Sequence, residues 1–295
     1  MSRVNRLWSK LRMVGLLLAA AGAALGLAPR DWRSASASPA GLAPDPAATP
    51  EAVVQVYGAR VSGWRGIFGV HTWIAVKPSN APAFTVYEVV GWRLRWADSV
   101  VAIGGRRPDG PWYGARAELL ADLRGEQVDR LIARIDRLAQ TYPYAGRYTV
   151  WPGPNSNTFV AWITRAVPEL QVEFPPTAIG KDYLPRAVWG TAPSGRGFQL
   201  SLFGLLALTA SPVEGFEVNL CTMTFGFNPF TSTLKLPVFG RVAVPMPSFS
   251  WRAPRRSLSR PAVQVATVAS EASIHPWPTS EQAEAQIRGS LRRAA

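Results

Sequence analysis

The stretch Pro152-Gly153-Pro154-Asn155-Ser156-Asn157-Thr158-Phe159-Val160 limits the fold more than any other part of the chain. Two prolines and a glycine stop whatever precedes them. A polar Asn-Ser pair then opens an apolar run from Phe159 to Val167, which Pro168 closes. A small polar side chain before such a run starts a helix, because its oxygen accepts from the free backbone N–H groups of the first turn. Proline ends the run by clashing with the turn before it and offering no donor. The spacing predicts a helix of about three turns with Asn155 and Ser156 at its N-terminus. Free N–H groups and the macrodipole favour negative charge there, so the position suits a nucleophile or an anion contact, and equally a plain cap.

The regular segments before and after this helix read mostly as strands. Val53–Tyr57, Ile67–Lys77, Phe84–Trp92 and Val100–Ile103 are rich in β-branched and aromatic residues and are separated by turns such as Ser62–Gly66, Pro78–Asn80 and Pro108–Gly110. Val128, Leu131, Ile132, Ile135 and Leu138 switch to helical spacing. A short strand at Tyr148–Val150 precedes the opening helix, and Phe198 to Val244 returns to strands and turns. The apolar piece Leu200 to Pro212 is too short to cross a membrane and reads as core. The expectation is an α+β fold, an antiparallel sheet packed on helices.

Residues 1–30 read as a signal or membrane anchor. Arg3, Arg6, Lys10 and Arg12 precede an uncharged run from Met13 to Pro29. Such a segment is cut as a secretory leader or stays in the inner membrane through residues 13–29, with the rest of the chain on the periplasmic side. Residues 31–50 are Ala/Ser/Pro-rich and read as a linker, 51–245 as the globular domain, and 246–295 as a disordered Pro/Arg-rich tail with a short helix near Glu281–Arg292. The net charge of +13 divides as +4, +5 and +4 over residues 1–50, 51–245 and 246–295. With no nucleic-acid motif beside it, that distribution describes basic ends rather than a nucleic-acid surface. Cys221 is the only cysteine, which excludes an intramolecular disulfide and argues against a thiolate zinc site.

Imidazole chemistry in the domain falls to His71, since the other histidine, His275, lies in the tail. On its strand His71, Trp73 and Lys77 share one face, and Val70, Thr72, Ile74 and Val76 the other. A strand histidine is structural or a base. Lys181-Asp182 is an ion pair or a substrate contact, Arg65 an anion contact or a turn decoration, and the tryptophans, Trp73 among them, are core or groove. Glu88 and Asp109 are two isolated carboxylates, weak grounds for a metal site. No phosphate-cradling glycine motif is present, and no cofactor is expected.

Val70-His71-Thr72-Trp73-Ile74-Ala75-Val76 on an early strand, followed by Asn155-Ser156-Asn157-Thr158-Phe159-Val160 at a helix start, resembles the circularly permuted papain-like superfamily of NlpC-type envelope hydrolases and lecithin:retinol-acyltransferase-like enzymes. The resemblance covers roughly residues 60–165. It implies a permuted papain-like fold with His71 as base, Glu88 as its polar partner, and Asn155-Ser156 where that superfamily has an Asn-Cys pair. Serine replaces the nucleophilic cysteine. The implied function is an envelope hydrolase or acyltransferase acting on an amide or ester; Arg65, Trp73, Lys181 and Asp182, read from the residues themselves, are its candidate substrate contacts. The alternative is a noncatalytic envelope protein binding lipid, peptide or glycan in the same groove. Tyr57–Arg60, Gly63–Gly66, Trp112–Gly114, Ile179–Tyr183 and Glu214-Gly215 also resemble an uncharacterised bacterial family over about residues 53–245, which brings no activity with it.

Overall fold

The computed structural model describes residues 38–184 and 187–244. The apolar run 13–29 and the tail expectations from residue 246 onward fall outside them. Among the described residues no helix is long and apolar enough to cross a membrane. The described residues form two antiparallel sheets and two α-helices, an α+β arrangement.

The first sheet has the strand order β4-β3-β2-β1-β5. It comprises β1 (Val53–Arg60), β2 (Val70–Lys77), β3 (Thr85–Val89), β4 (Val101–Gly104) and β5 (Glu118–Arg124). β5 carries charged residues at both ends and was not evident from strand composition. Side chains alternate across the sheet, and both faces of β1 and β2 are covered, so these strands read as nearly continuous apolar runs. Val54, Val56, Ile74, Val76 and Tyr87 face α1 (Val128–Gln140) and α2 (Ser156–Ala166). Ile132 and Ile135 come from α1, Phe159, Val160 and Ile163 from α2.

The opposite face holds Val53, Tyr57, Trp73, Ala75 and Val86, and among the described residues no helix packs on it. Instead Ala40 and Leu42 pack there. Ala40 N donates to Asp109 O at 3.0 Å, Leu42 N to Asp109 Oδ2 at 2.9 Å, and Gln55 Nε2 to Leu42 O at 3.3 Å. The part of the expected linker from Ser38 onward is therefore a cover for the sheet, because an apolar face without a helix must be shielded by something else. Tyr148–Val150, expected as a strand, is irregular.

The second sheet is a meander in the order β12-β11-β10-β9-β8-β7-β6. Its strands are β6 (Trp189–Gly190), β7 (Phe198–Leu202), β8 (Leu206–Ser211), β9 (Gly215–Leu220), β10 (Met223–Asn228), β11 (Thr233–Leu236) and β12 (Gly240–Ala243). Its alternation is inverted. Gln199, Ser201, Thr209, Glu217, Asn219, Thr224 and Lys235 are buried, while Phe198, Leu200, Leu208, Phe216, Val218 and Phe225 are exposed. Leu200 to Pro212, expected as core, is a β-hairpin whose leucines point outward.

The inward polar face is satisfied by the segment that follows α2. Lys181 Nζ bonds Asp182 Oδ1 at 2.9 Å and Glu217 Oε2 at 2.6 Å. Lys235 Nζ bonds Glu217 Oε1 at 2.6 Å and Glu173 Oε1 at 2.7 Å. Gln199 and Asn219 donate to Asp182 at 2.6 Å each. Arg165 on α2 donates to Lys181 O at 2.8 Å and Gln199 Oε1 at 2.9 Å, tying this network to the helix. Lys181 and Lys235 are shared among three carboxylates, and the amides of Gln199 and Asn219 complete the bonding of Asp182, the condition under which buried charge is tolerated.

Candidate functional site

Asn155 caps α2, as the spacing predicted. Its Oδ1 accepts from Asn157 N at 3.0 Å and Thr158 N at 3.2 Å, and Asn155 N donates to Thr158 Oγ1 at 3.1 Å, closing a capping box. Its Nδ2 donates to Val150 O at 3.1 Å and Ile179 O at 2.9 Å, so the cap also holds two loops. Gly180 follows at a φ of 93°, and a Cβ there would come within 2.6 Å of the Asn155 amide. Only glycine combines that backbone with that approach.

Ser156, the first residue of α2, is 3 % exposed. Burial raises the pKa of the nearby Tyr148 phenol, and the Ser156 hydroxyl pulls it the other way. Thr72 Oγ1 reaches the same helix end, donating to Asn157 Oδ1 at 2.9 Å, and Asn157 Nδ2 donates to Val70 O at 3.0 Å. Thr72, and not His71, is thus the β2 side chain that hydrogen-bonds the start of α2.

His71, its neighbour, projects from the other face of the strand. Its ring lies parallel to Trp112, with centroids 3.5 Å apart and planes 7° apart, and it is 3 % exposed. Trp73 lies on the same side at 5.8 Å. His71 Nε2 and Glu88 Oε2 are 3.0 Å apart. Arg106 Nε donates to Glu88 Oε1 at 3.0 Å, and its guanidinium stacks 4.6 Å from the centre of the Trp73 ring. Burial alone would raise the Glu88 carboxyl, but Arg106 and the bond to His71 outweigh it and hold the pKa at about 2. Burial lowers the His71 pKa and outweighs the opposing pull of Glu88, so the imidazole is neutral at pH 7.

The structure therefore brings His71 and Glu88 together, and separately Asn155 and Ser156. It does not join the two pairs: among the described residues, no hydrogen bond links Ser156 to His71. The expected substrate residues do not converge either. Trp73 is core, its indole donating to Pro108 O at 2.7 Å. Arg65 is exposed on a turn, 5.4 Å from the neighbouring Trp64 ring. Lys181 and Asp182 lie in the joint beneath the second sheet, and burial, which by itself would lower the Lys181 pKa, is outweighed by Asp182 and Glu217, which raise it. Asp109 Oδ2 is occupied by backbone donors at residues 42 and 43, apart from Glu88.

Two participants escaped sequence reading: Arg106 follows a Gly-Gly pair and carried no motif, and Tyr148 precedes the helix by eight positions. Trp112, one of the core-or-groove tryptophans, proves to be the ring stacked on His71. Only the proximity of Arg106 to the end of β4, beside Glu88 on β3, could have flagged it.

Residues 51–183 match the family described as protein of unknown function (DUF3750). The match covers the first sheet, both helices and the Lys181-Asp182 pair, and stops short of the second sheet. No curated protein and no solved structure matches the chain.

Proposed function

We propose that this chain, whose family match assigns it no activity, is a noncatalytic, membrane-associated envelope protein that binds lipid. The carrying observation is the separate engagement of the two groups a hydrolase would need. Ser156 is buried at the first turn of α2, and neutral His71, on the other face of β2, is stacked on Trp112 and bonded to Glu88. A serine hydroxyl is weakly acidic and attacks only with a base within hydrogen-bond reach. Among lipid, peptide and glycan, the exposed leucines and phenylalanines of the second sheet favour lipid. The basic cluster Arg3–Arg12 before an apolar run supports an inner-membrane attachment with the described domain in the periplasm.

Three measurements test this reading. Alkaline phosphatase fused after Val244 should be active in cells, and a cytoplasmic reporter there dark; the reverse removes the envelope assignment. The full chain should float with phospholipid vesicles. A fluorophosphonate should label wild type no more than Ser156→Ala. Labelling confined to wild type overturns the noncatalytic part.

One observation favours the second reading, a serine hydrolase or acyltransferase acting on an amide or ester. The 3.0 Å His71–Glu88 contact fixes an imidazole as an acid partner does in a Ser-His-acid triad. On that reading Ser156→Cys, which restores the thiol, reacts with iodoacetamide faster than Cys221, and His71→Ala abolishes the advantage. An inert thiol removes it.

A further inference from the structure

From the inverted alternation of the second sheet we infer that its outer face docks on the surface of an anionic phospholipid bilayer. The inference rests on the lipid-binding reading above and names the surface and the lipid class.

Every outward position of β7, β8 and β9 is apolar, including Leu200, Leu208, Phe216 and Val218. With Phe225 and Leu234 they line a shallow groove of about 680 Å³. A sheet with one solvated face ordinarily turns its polar side chains to water. Here they are turned inward and consumed by Lys181, Asp182 and Glu214, so the outer face is built for an apolar medium. Strands of five or six residues are shorter than the roughly nine to eleven needed to span a bilayer, so the sheet lies on a membrane rather than through it.

Two features select lipid over a second protein. Outward positions on these strands offer no side-chain donor or acceptor, whereas protein interfaces carry about one hydrogen bond per 100–200 Å². And the chain leaving β12, at the edge of this sheet, continues with Phe249, Trp251, Arg252, Arg255, Arg256 and Arg260 in sequence. Residues 246–295 hold 7 basic and 3 acidic side chains. A sequence rich in arginine and aromatic residues, joined in the chain to the last strand of this sheet, suits the headgroup layer of anionic lipid.

Cys221, the only cysteine, is exposed next to Leu220 in the turn joining β9 to β10, and serves as a label point. The full chain, labelled there with a polarity-sensitive nitrobenzoxadiazole dye, is reconstituted into vesicles of phosphatidylethanolamine with phosphatidylglycerol, or of phosphatidylcholine alone. In the anionic vesicles the emission should shift to the blue and be quenched by lipids carrying a nitroxide near the headgroup. Leu208→Glu and Phe216→Ser should each abolish the shift, with unchanged circular dichroism because both sites are exposed. Ile103→Glu, exposed on the first sheet, should not. An equal shift in phosphatidylcholine overturns the anionic assignment. An unshifted dye on chains that still float with vesicles overturns docking by this face and leaves the lipid reading standing. Chains that do not float overturn both. A dye shielded without lipid, in a particle that light scattering shows to be a dimer, makes the occupant a second copy and overturns the inference.

Discussion

Replacing Glu88 by glutamine keeps the shape of the His71–Glu88–Arg106 cluster and removes the charge at its centre. The folded carboxyl titrates at about 2, against 4.5 for an unperturbed glutamate. Its stabilisation is complete above pH 4.5 and is lost as the pH falls through about 2; the difference amounts to about 3 kcal/mol. His71 acts earlier with the same sign. Its folded pKa lies below 6.5, so the unfolded chain takes up a proton first and stability begins to fall below that pH. Thermal melts should therefore show wild type weakening below pH 6.5 and again below 4.5. Glu88→Gln should lose the second stage and be less stable at pH 7, since Arg106 is left without its buried counter-charge. His71→Gln should lose the first. Melts of Glu88→Gln that track wild type below pH 4.5 would show that the carboxylate is not held ionised by its partners.

The α2 cap and the second sheet make separate demands on neighbouring elements. Asn155→Ala removes a cap and leaves the Val150 carbonyl without its side-chain donor, while Ile179 O keeps the Asn157 amide at 2.7 Å; the expected cost is about 1–3 kcal/mol in chemical denaturation. Gly180→Ala pushes a methyl group into the same amide, so its cost should shrink once Asn155 is gone, and a double-mutant cycle should report that coupling. Purely additive losses would mean the two sites are independent. In the second sheet, Lys235→Met leaves Glu173 and Glu217 short of a buried cation and should cost about 3–5 kcal/mol. Glu217→Gln in the same background should recover part of it. The helix start was legible because Asn155, Ser156 and Pro168 carry local chemistry that needs no partner. The period of β7 to β9 was equally legible, but not its sense. Which side of an alternating strand faces the protein depends on what lies beneath it, and here Lys181 and Asp182, far away in sequence, reversed the usual order. The pairing of His71 with Glu88 could be read as two neighbouring strands. That Thr72 rather than His71 meets the helix depends on which face of β2 the helix packs against, which the residues of β2 do not announce.

At the scale of the molecule, two units of opposite character are held by one polar seam. The first sheet and its helices enclose an ordinary apolar core, while the second sheet contributes amides, hydroxyls and charges to the interior. Exposing apolar surface on unfolding raises the heat capacity, about +0.45 cal/K/mol per Å², and exposing polar surface lowers it by about 0.26. The inverted sheet contributes mainly the second kind. Calorimetry should give a heat-capacity increment per residue below the usual range of about 12–15 cal/mol/K; a value within that range would indicate that the outer leucines are covered in solution. A small increment flattens the curve of stability against temperature. The same reversal that turns greasy side chains toward the surroundings should therefore make this chain less sensitive to cooling, because less of its stability comes from the apolar burial that fades in the cold.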